Sequence, residues 1–593
     1  MHRTRFRVLL CAVVAFASSA RADNEQAQAW VQQSNAAAQA LLDVMVRYVP
    51  ESAAAYGVEG HDSEISDLKP GYDTRQEDDL DKVAAAYDAR LATEPDARLK
   101  QDLQILAKAA RDQRTTSQLN RRLMLPFFDL PQALFQGFDS LLDPRNDKSR
   151  YAAALARLRR YTGREKGYTP ITKLLEERIS ERFAVEGLTG PWTLEVQQSL
   201  DNRERFVDGI RKDFERAGVK GWQKDVELLD EQLEQHSAWI EQNVVPRARK
   251  SNQLPPEIYA DNLRTFGVRA DPRELMQQAL VGFVQTRDEL DALAKQVAQR
   301  RGLASSDYRD VIRSLKADEI PNDKLMDTYH ARLAQLEEIV REQHVVTLPE
   351  REAVIRVGTE AESAAQPAPH LSPPRLIGNT GEPGEFVLPL ANPNAAPGTK
   401  MDDFTNDAIS WTLTVHEARP GHELQYAKMI ENGTSIPRAV FAFNSANVEG
   451  WALYAESVMK QYLPLEGQMG SLQMRLMRCA RAFLDPMVNL GLMKPEDAQA
   501  FLMKEVVLSE PMAKQEVDRY SFKAPGQATS YFYGYQQHLA LRLRTEIALR
   551  DRFDELAYHD FVISQGLLPP DLLGEAVLSQ YIPARLAGNA VSN

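Results

Sequence analysis

The chain has 593 residues, with 84 acidic against 71 basic side chains and a net charge of −13. An acidic surface repels phosphate backbones and anionic lipid, which argues against nucleic acid and anionic membrane as partners. Two cysteines, one of them Cys11 close to the amino terminus, leave Cys479 alone in the rest of the chain and exclude a disulfide-stapled fold; a chain this long buries a large core without staples.

Residues 1–22 read as a secretory leader. Arg3, Arg5 and Arg7 form a basic start, Val8 to Ala17 an apolar run too short to span a bilayer, and Ala20-Arg21-Ala22 a small-x-small cleavage site. Its removal takes away four arginines and lowers the net charge to −17. The mature protein, residues 23–593, is expected to be exported, most simply to a periplasm, with no stable membrane insertion.

Helical spacing dominates the rest of the chain. Leu99, Leu103, Leu106 and Ala110 form one apolar stripe; Val226, Leu229, Leu233 and Ile240 form another, with His236 on it, read as a core or channel-lining histidine. The segments around 150–162, 196–216, 273–300 and 323–343 show the same alternation. Composition changes at 358–399, which carries eight prolines. There, 384–390 is the best strand candidate; Pro389 predicts an edge strand, free to pair with an extended peptide or else to act as a structural crossing between lobes. The expected division is an N-terminal lobe over about 23–357, the proline-rich crossing, and a site-bearing lobe over 400–593.

A helix predicted over 404–415 leads into His416-Glu417-Ala418-Arg419-Pro420-Gly421-His422. Two histidines six apart lie about 240° apart around a regular helix, so they cannot share an ion unless the helix breaks. Pro420 clashes with the carbonyl four residues back, and Gly421 can adopt backbone angles closed to other residues. A break there lets His422 return to His416. With Glu449, 27 residues on, the chain then offers three ligands to one zinc ion, and Glu417 stands where a general base belongs. Glu456, seven residues beyond Glu449, shares its helical face and can orient a ligand or pair with an arginine. An unbroken helix would instead align His416 with Glu423.

The stretch His416–Gln425, HEARPGHELQ, resembles the His-Glu-Ala-x-Pro-Gly-His-His-x-Gln signature of the bacterial "domain of unknown function 885" family, held to be related to helical zinc peptidases of the thimet oligopeptidase and Taq carboxypeptidase kind. Glu449 to Tyr454, Glu516 to Tyr520 with Pro525 to Gly534, and an opening segment Gly57 to Leu68 resemble further family motifs. The resemblance implies a mainly α, two-lobed, zincin-like fold with a deep cleft. It implies zinc on His416, His422 and Glu449, Glu417 as base, Tyr531 as donor to the oxyanion, and Arg519 with Gln527 as substrate-binding residues. Arg519 has an alternative role in an ion pair with Glu516 or Glu505, while Tyr533 and Tyr535 are lesser oxyanion candidates. Two positions depart from the family: Glu423 replaces a histidine, and Asn489 stands where relatives carry histidine. The implied activity is hydrolysis of short peptides. A zinc amidase or esterase and a silent metal-containing binding protein are the alternatives.

Overall fold

The computed structural model of the chain describes residues 29–389, 392–396 and 398–588. The expected leader, residues 1–22, lies outside the described residues. The architecture is mainly α, with one small three-stranded sheet. No helix among the described residues is long and apolar enough to cross a membrane.

The N-terminal lobe is built by helices α1 (Ala97–Leu123), α2 (Leu130–Leu141), α3 (Thr193–Ala217) and α4 (Gln223–Asn243) with their shorter neighbours. Asp96 starts α1 by accepting the amide hydrogens of Arg98 and Leu99, groups that have no partner inside the helix. The predicted stripe on α1 is buried from Leu99 to Ala110 and belongs to one core with Phe138 of α2, Phe206 and Phe214 of α3, and Leu229 and Leu233 of α4. Each fully buried leucine there stabilises the lobe by about 1.5–3 kcal/mol.

The second lobe begins earlier than the proline-rich segment suggests. Helix α5 (Pro272–Arg301) precedes that segment, yet Leu275, Phe283 and Leu290 on it share a core with Leu476, Phe483 and Leu484. Packing therefore divides the lobes near residue 250, and residues 256–343 join the site-bearing lobe. The chain gives no compositional sign of this, because the connection at 250 is short and helices continue on both sides.

The sheet corrects a second expectation. Strands β1 (Val354–Val357), β2 (His370–Ser372) and β3 (Glu385–Leu388) pair in the order β1-β3-β2. The predicted strand is thus the central one, parallel to β1 and antiparallel to β2, with Phe386 opposite both Ile355 and Leu371. Both its flanks are taken, so it cannot pair with an extended peptide. Pro389 falls just past its end, where no ladder bond is required.

After the sheet come α6 (Asp407–Glu417), α7 (His422–Glu431), α8 (Ser445–Met459), α9 (Leu465–Asn489), α10 (Glu510–Asp518) and α11 (Thr529–Leu549). Helices α8 and α11 cross where glycine meets glycine: a Cβ on Gly450 would lie 2.7 Å from the Gly534 backbone, and one on Gly534 would lie 1.9 Å from the Ala446 oxygen. Only bare backbone allows this approach, and it brings Glu449 on α8 next to the start of α11.

Candidate metal centre

The break between the two histidines is present. Helix α6 ends at Glu417, the Arg419–Pro420 peptide bond is cis, and α7 starts afresh at His422. Gly421 is folded back so tightly that a Cβ there would sit 1.9 Å from the His416 carbonyl oxygen. Nearby, the Trp451 indole donates to the Pro420 oxygen at 3.0 Å, tying the loop to the helix that bears Glu449. This gives the Glu-Gly-Trp motif a physical reading: Glu449 faces the histidines, Gly450 lets α11 approach, and Trp451 holds the loop.

The two imidazoles converge, with ring centroids 4.7 Å apart and planes at 80°. Glu449 Oε2 lies 3.4 Å from His416 Nε2 and 3.3 Å from His422 Nε2. Burial raises a carboxyl pKa, but here the contacts with His416 and His422 outweigh it and hold Glu449 well below the ordinary range. Glu417 Oε1 stands farther off, 3.9 Å from His416 Nε2. The ligand-capable atoms of His416, Glu417 and His422 still lie within 4.8 Å of one another, so both carboxylates reach the imidazole pair. Distance separates their roles. Bonds of about 2.0–2.1 Å to tetrahedral zinc imply ligand atoms roughly 3.3 Å apart, and Glu449 meets this spacing to both histidines while Glu417 does not.

The surroundings fit a cation. Glu449 Oε2 and Glu417 Oε2 are buried atoms with no hydrogen-bond partner, a costly state for two carboxylates unless an ion lies between them. His416 Nδ1 is bonded to Glu456 Oε1 at 2.7 Å, which fixes the ring and leaves Nε2 facing the cluster. Glu456 in turn accepts from Thr412 at 2.9 Å and lies 3.5 Å from Arg478. Glu456 thus touches both the His416 ring and an arginine.

Tyr531 completes the wall. Its ring stacks on His416 at 6.3 Å and 12°, with the Arg481 guanidinium 4.4 Å from the ring centre. Arg519 Nη1 donates to the Tyr531 hydroxyl at 3.3 Å and to Gln527 Oε1 at 3.4 Å. The alternative ion pair of Arg519 is made with Glu516 alone, and only at long range. Glu516 is held by Arg481 through two bonds of 2.6 Å and stands 4.0 Å from Arg519, and Glu505 pairs with Arg309. Glu449, Arg519, Gln527 and Tyr531 line a cavity of about 540 Å³ between the lobes, to which the N-terminal lobe contributes Phe128 and Gln198. His416, Glu417 and His422 lie behind that wall and are almost fully buried.

The remaining candidates lie elsewhere. Glu423 is bound to Arg419 at 2.5 and 3.2 Å, so the His416–Glu423 ligand pair is ruled out. Asn489 donates to the Asp485 and Tyr520 carbonyl oxygens at 3.0 Å and does not line the cavity. His236 is buried in the N-terminal lobe against Glu176. Tyr533 and Tyr535 do not line the cavity either. Sequence reasoning missed Thr412, Arg478 and Arg481; Thr412, one helical turn before His416, was the most accessible of these.

A profile described as "Bacterial protein of unknown function (DUF885)" matches residues 50–577. No functionally curated protein matches the chain. Among solved structures, a candidate lipoprotein from Colwellia psychrerythraea aligns with a TM-score of 0.75 at 18% identity, covering 94% of this chain and 99% of the other. A candidate lipoprotein of unknown function from Shewanella oneidensis aligns with a TM-score of 0.70 at 18% identity, covering 93% and 99%. At that identity the likeness is one of fold. The family match spans the opening segment, the broken histidine motif, the Glu-Gly-Trp helix and the Arg519–Tyr531 region together, and the chain belongs to the bacterial DUF885 family.

Proposed function

We propose that this protein is an exported zinc-dependent peptidase that hydrolyses short peptides. The observation carrying this reading is the pair of 3.3 and 3.4 Å distances from Glu449 Oε2 to the two imidazoles, the spacing that three zinc ligands adopt. Bound by His416, His422 and Glu449, zinc would supply the Lewis acidity that polarises an amide carbonyl and acidifies a water.

Glu417 would take a proton from the attacking water and pass it to the leaving nitrogen. Burial pushes this carboxyl up to about 8, and a cation beside it lowers that value toward the range where it works as a base at neutral pH. The water oxygen bonds to the carbonyl carbon, the C–N bond breaks, and an acid and an amine leave. The Tyr531 hydroxyl, held by Arg519, would donate to the carbonyl oxygen as it gains charge. A 540 Å³ cavity suits a short, unfolded segment rather than a folded protein. Export is supported by the basic, apolar and small-residue order of residues 1–22, and by the description of both structural relatives as candidate lipoproteins.

The test is zinc content by mass spectrometry, beside cleavage of a mixed peptide library, in wild type, Glu417→Gln and His422→Ala. The expected result is about one zinc per chain in the first two, none in the third, and cleavage by wild type alone. Absence of zinc from the wild type would sink the reading. Zinc without peptide cleavage would redirect it to a non-peptide amide or ester, or to a binding protein.

A further inference from the structure

The wall of the cavity beyond Tyr531 holds two cations, Arg519 and Lys523. Arg519 is 12% exposed at its side chain, and its nearest carboxylate, 4.0 Å away, is already engaged by Arg481. It spends one nitrogen, Nη1, on two long contacts to neutral oxygens, while Nε and Nη2 donate to no protein acceptor among the described residues. Lys523 comes four residues later, at the other end of a π-helical turn over Arg519–Lys523, and has no carboxylate within 4.0 Å among the described residues. Insertions of this kind recur at functional sites, where they re-aim side chains.

The acids across the cavity are committed elsewhere. Asp129 accepts the Gln132 amide at 3.2 Å and Glu195 accepts the Trp192 amide at 3.0 Å, each at the start of a helix. Asp518, next to Arg519, is held by Lys514 at 2.6 Å and by Gln198 at 3.1 Å. Gln515, 4% exposed, lines the same cavity with its Oε1 unpartnered. A chain of net charge −13 therefore keeps two cations on the wall of one cavity, Arg519 at the 4.0 Å limit of its contact with Glu516 and Lys523 drawn by Asp518 and Asp129 only from beyond 4.0 Å. Arg519, largely buried and short of acceptors, gains most from an anion bound there.

Resting on the peptidase reading above, we propose that Arg519 and Lys523 receive the free C-terminal carboxylate of the substrate, so that the enzyme works from the C-terminal end of short peptides. Position favours this anion over others. The Tyr531 hydroxyl is 3.3 Å from Arg519, and its ring lies against His416, so one group adjoins both the carboxylate receiver and the metal ligands. Extended peptide advances about 3.5 Å per residue, so a carboxylate on Arg519 places the carbonyl one or two residues back beside Tyr531. The planar guanidinium fork matches a carboxylate, and Lys523 adds a second charge.

The experiment is titration calorimetry with zinc-loaded Glu417→Gln protein, which holds peptides without turnover. The probes are trialanine, trialanine amide and N-acetyl-trialanine. Charge-assisted hydrogen bonds of this kind predict that amidation weakens binding about 30-fold or more, while acetylation changes it little. In the same background, Arg519→Gln should abolish the difference between free acid and amide. Lys523→Gln, at an exposed position that does not threaten folding, should remove part of the difference, and Arg519→Lys should restore part of it. Equal binding of acid and amide, or loss on acetylation instead, overturns the proposal. A preference for the free acid without cleavage by wild type leaves the carboxylate site standing and sinks the peptidase reading alone.

Discussion

His236 and His416 each pair with a buried glutamate through Nδ1, the first with Glu176 at 3.2 Å and the second with Glu456 at 2.7 Å. The first sits on an unbroken helix, its ring stacked on Trp239 at 6.1 Å and 9°, and its glutamate also holds Lys173 at 2.8 Å. No second carboxylate lies within 4.0 Å of the imidazole among the described residues. The second sits at the end of a helix that breaks one residue later, and its free nitrogen looks onto another imidazole and another carboxylate. A buried histidine–glutamate pair is therefore not a site in itself. What sets the candidate centre apart is a backbone interruption that brings a second imidazole and a second carboxylate to the same point.

Removing the delivered ligand should break the contrast most completely. His422→Ala is expected to lose bound zinc and all hydrolysis, read by mass spectrometry and peptide cleavage, while His236→Ala keeps both. Glu417→Gln should retain zinc and lower kcat by about 10²–10⁴, the range for loss of a positioned base; unchanged kcat would assign the proton transfer elsewhere. Glu456→Gln tests the shared half of the comparison. It should weaken zinc about 10–100-fold in a chelator competition, the usual effect of losing the group that orients a metal-bound histidine.

On the other side, His236→Leu should leave zinc untouched and destabilise the fold by about 1–3 kcal/mol in urea melts, because Glu176 keeps only Lys173. The N-terminal lobe also holds an acid pair, Asp213 buried and Asp139 half-buried, that shares an arginine instead of histidines. Asp213 lies 2.9 Å from Arg216, and Asp139 lies 3.6 Å from it. Burial, and then the charge of Asp139, pushes Asp213 up to about 8. The folded state thus keeps a proton that the unfolded chain loses near pH 4. Stability from this group is present at low pH and declines as pH rises toward 8, by at most about 1.4 kcal/mol per pH unit. Thermal melts from pH 5 to 9 should show the decline in wild type and a flatter profile in Asp213→Asn, with zinc content unaffected.

Much of the site was legible because its signals are local. The spacing of His416 and His422, with Pro420-Gly421 between them, demands an interruption on helical geometry alone, and the seven-residue step from Glu449 to Glu456 puts both on one face. The groups that went unread depend on the meeting of distant helices. Arg478 and Arg481 on α9 approach Tyr531 and Glu456 only through tertiary packing, and nothing in their own segment marks them. The strand near 385 was found, but its place in the sheet was not. Its partners at 354–357 and 370–372 are four and three residues long, too short for an alternating pattern to show.

The bond from the Trp451 indole to the Pro420 oxygen has a consequence for anyone who would move this centre to another protein. The ten-residue histidine motif does not carry its own shape, since part of its support comes from a side chain 31 positions away. A graft of HEARPGHELQ alone onto a helical scaffold should fold as an ordinary helix end, with His422 swinging free. The smallest transplantable unit is two segments, the broken helix and the helix bearing Glu449 and Trp451, together with a third backbone close enough to need glycine at position 450.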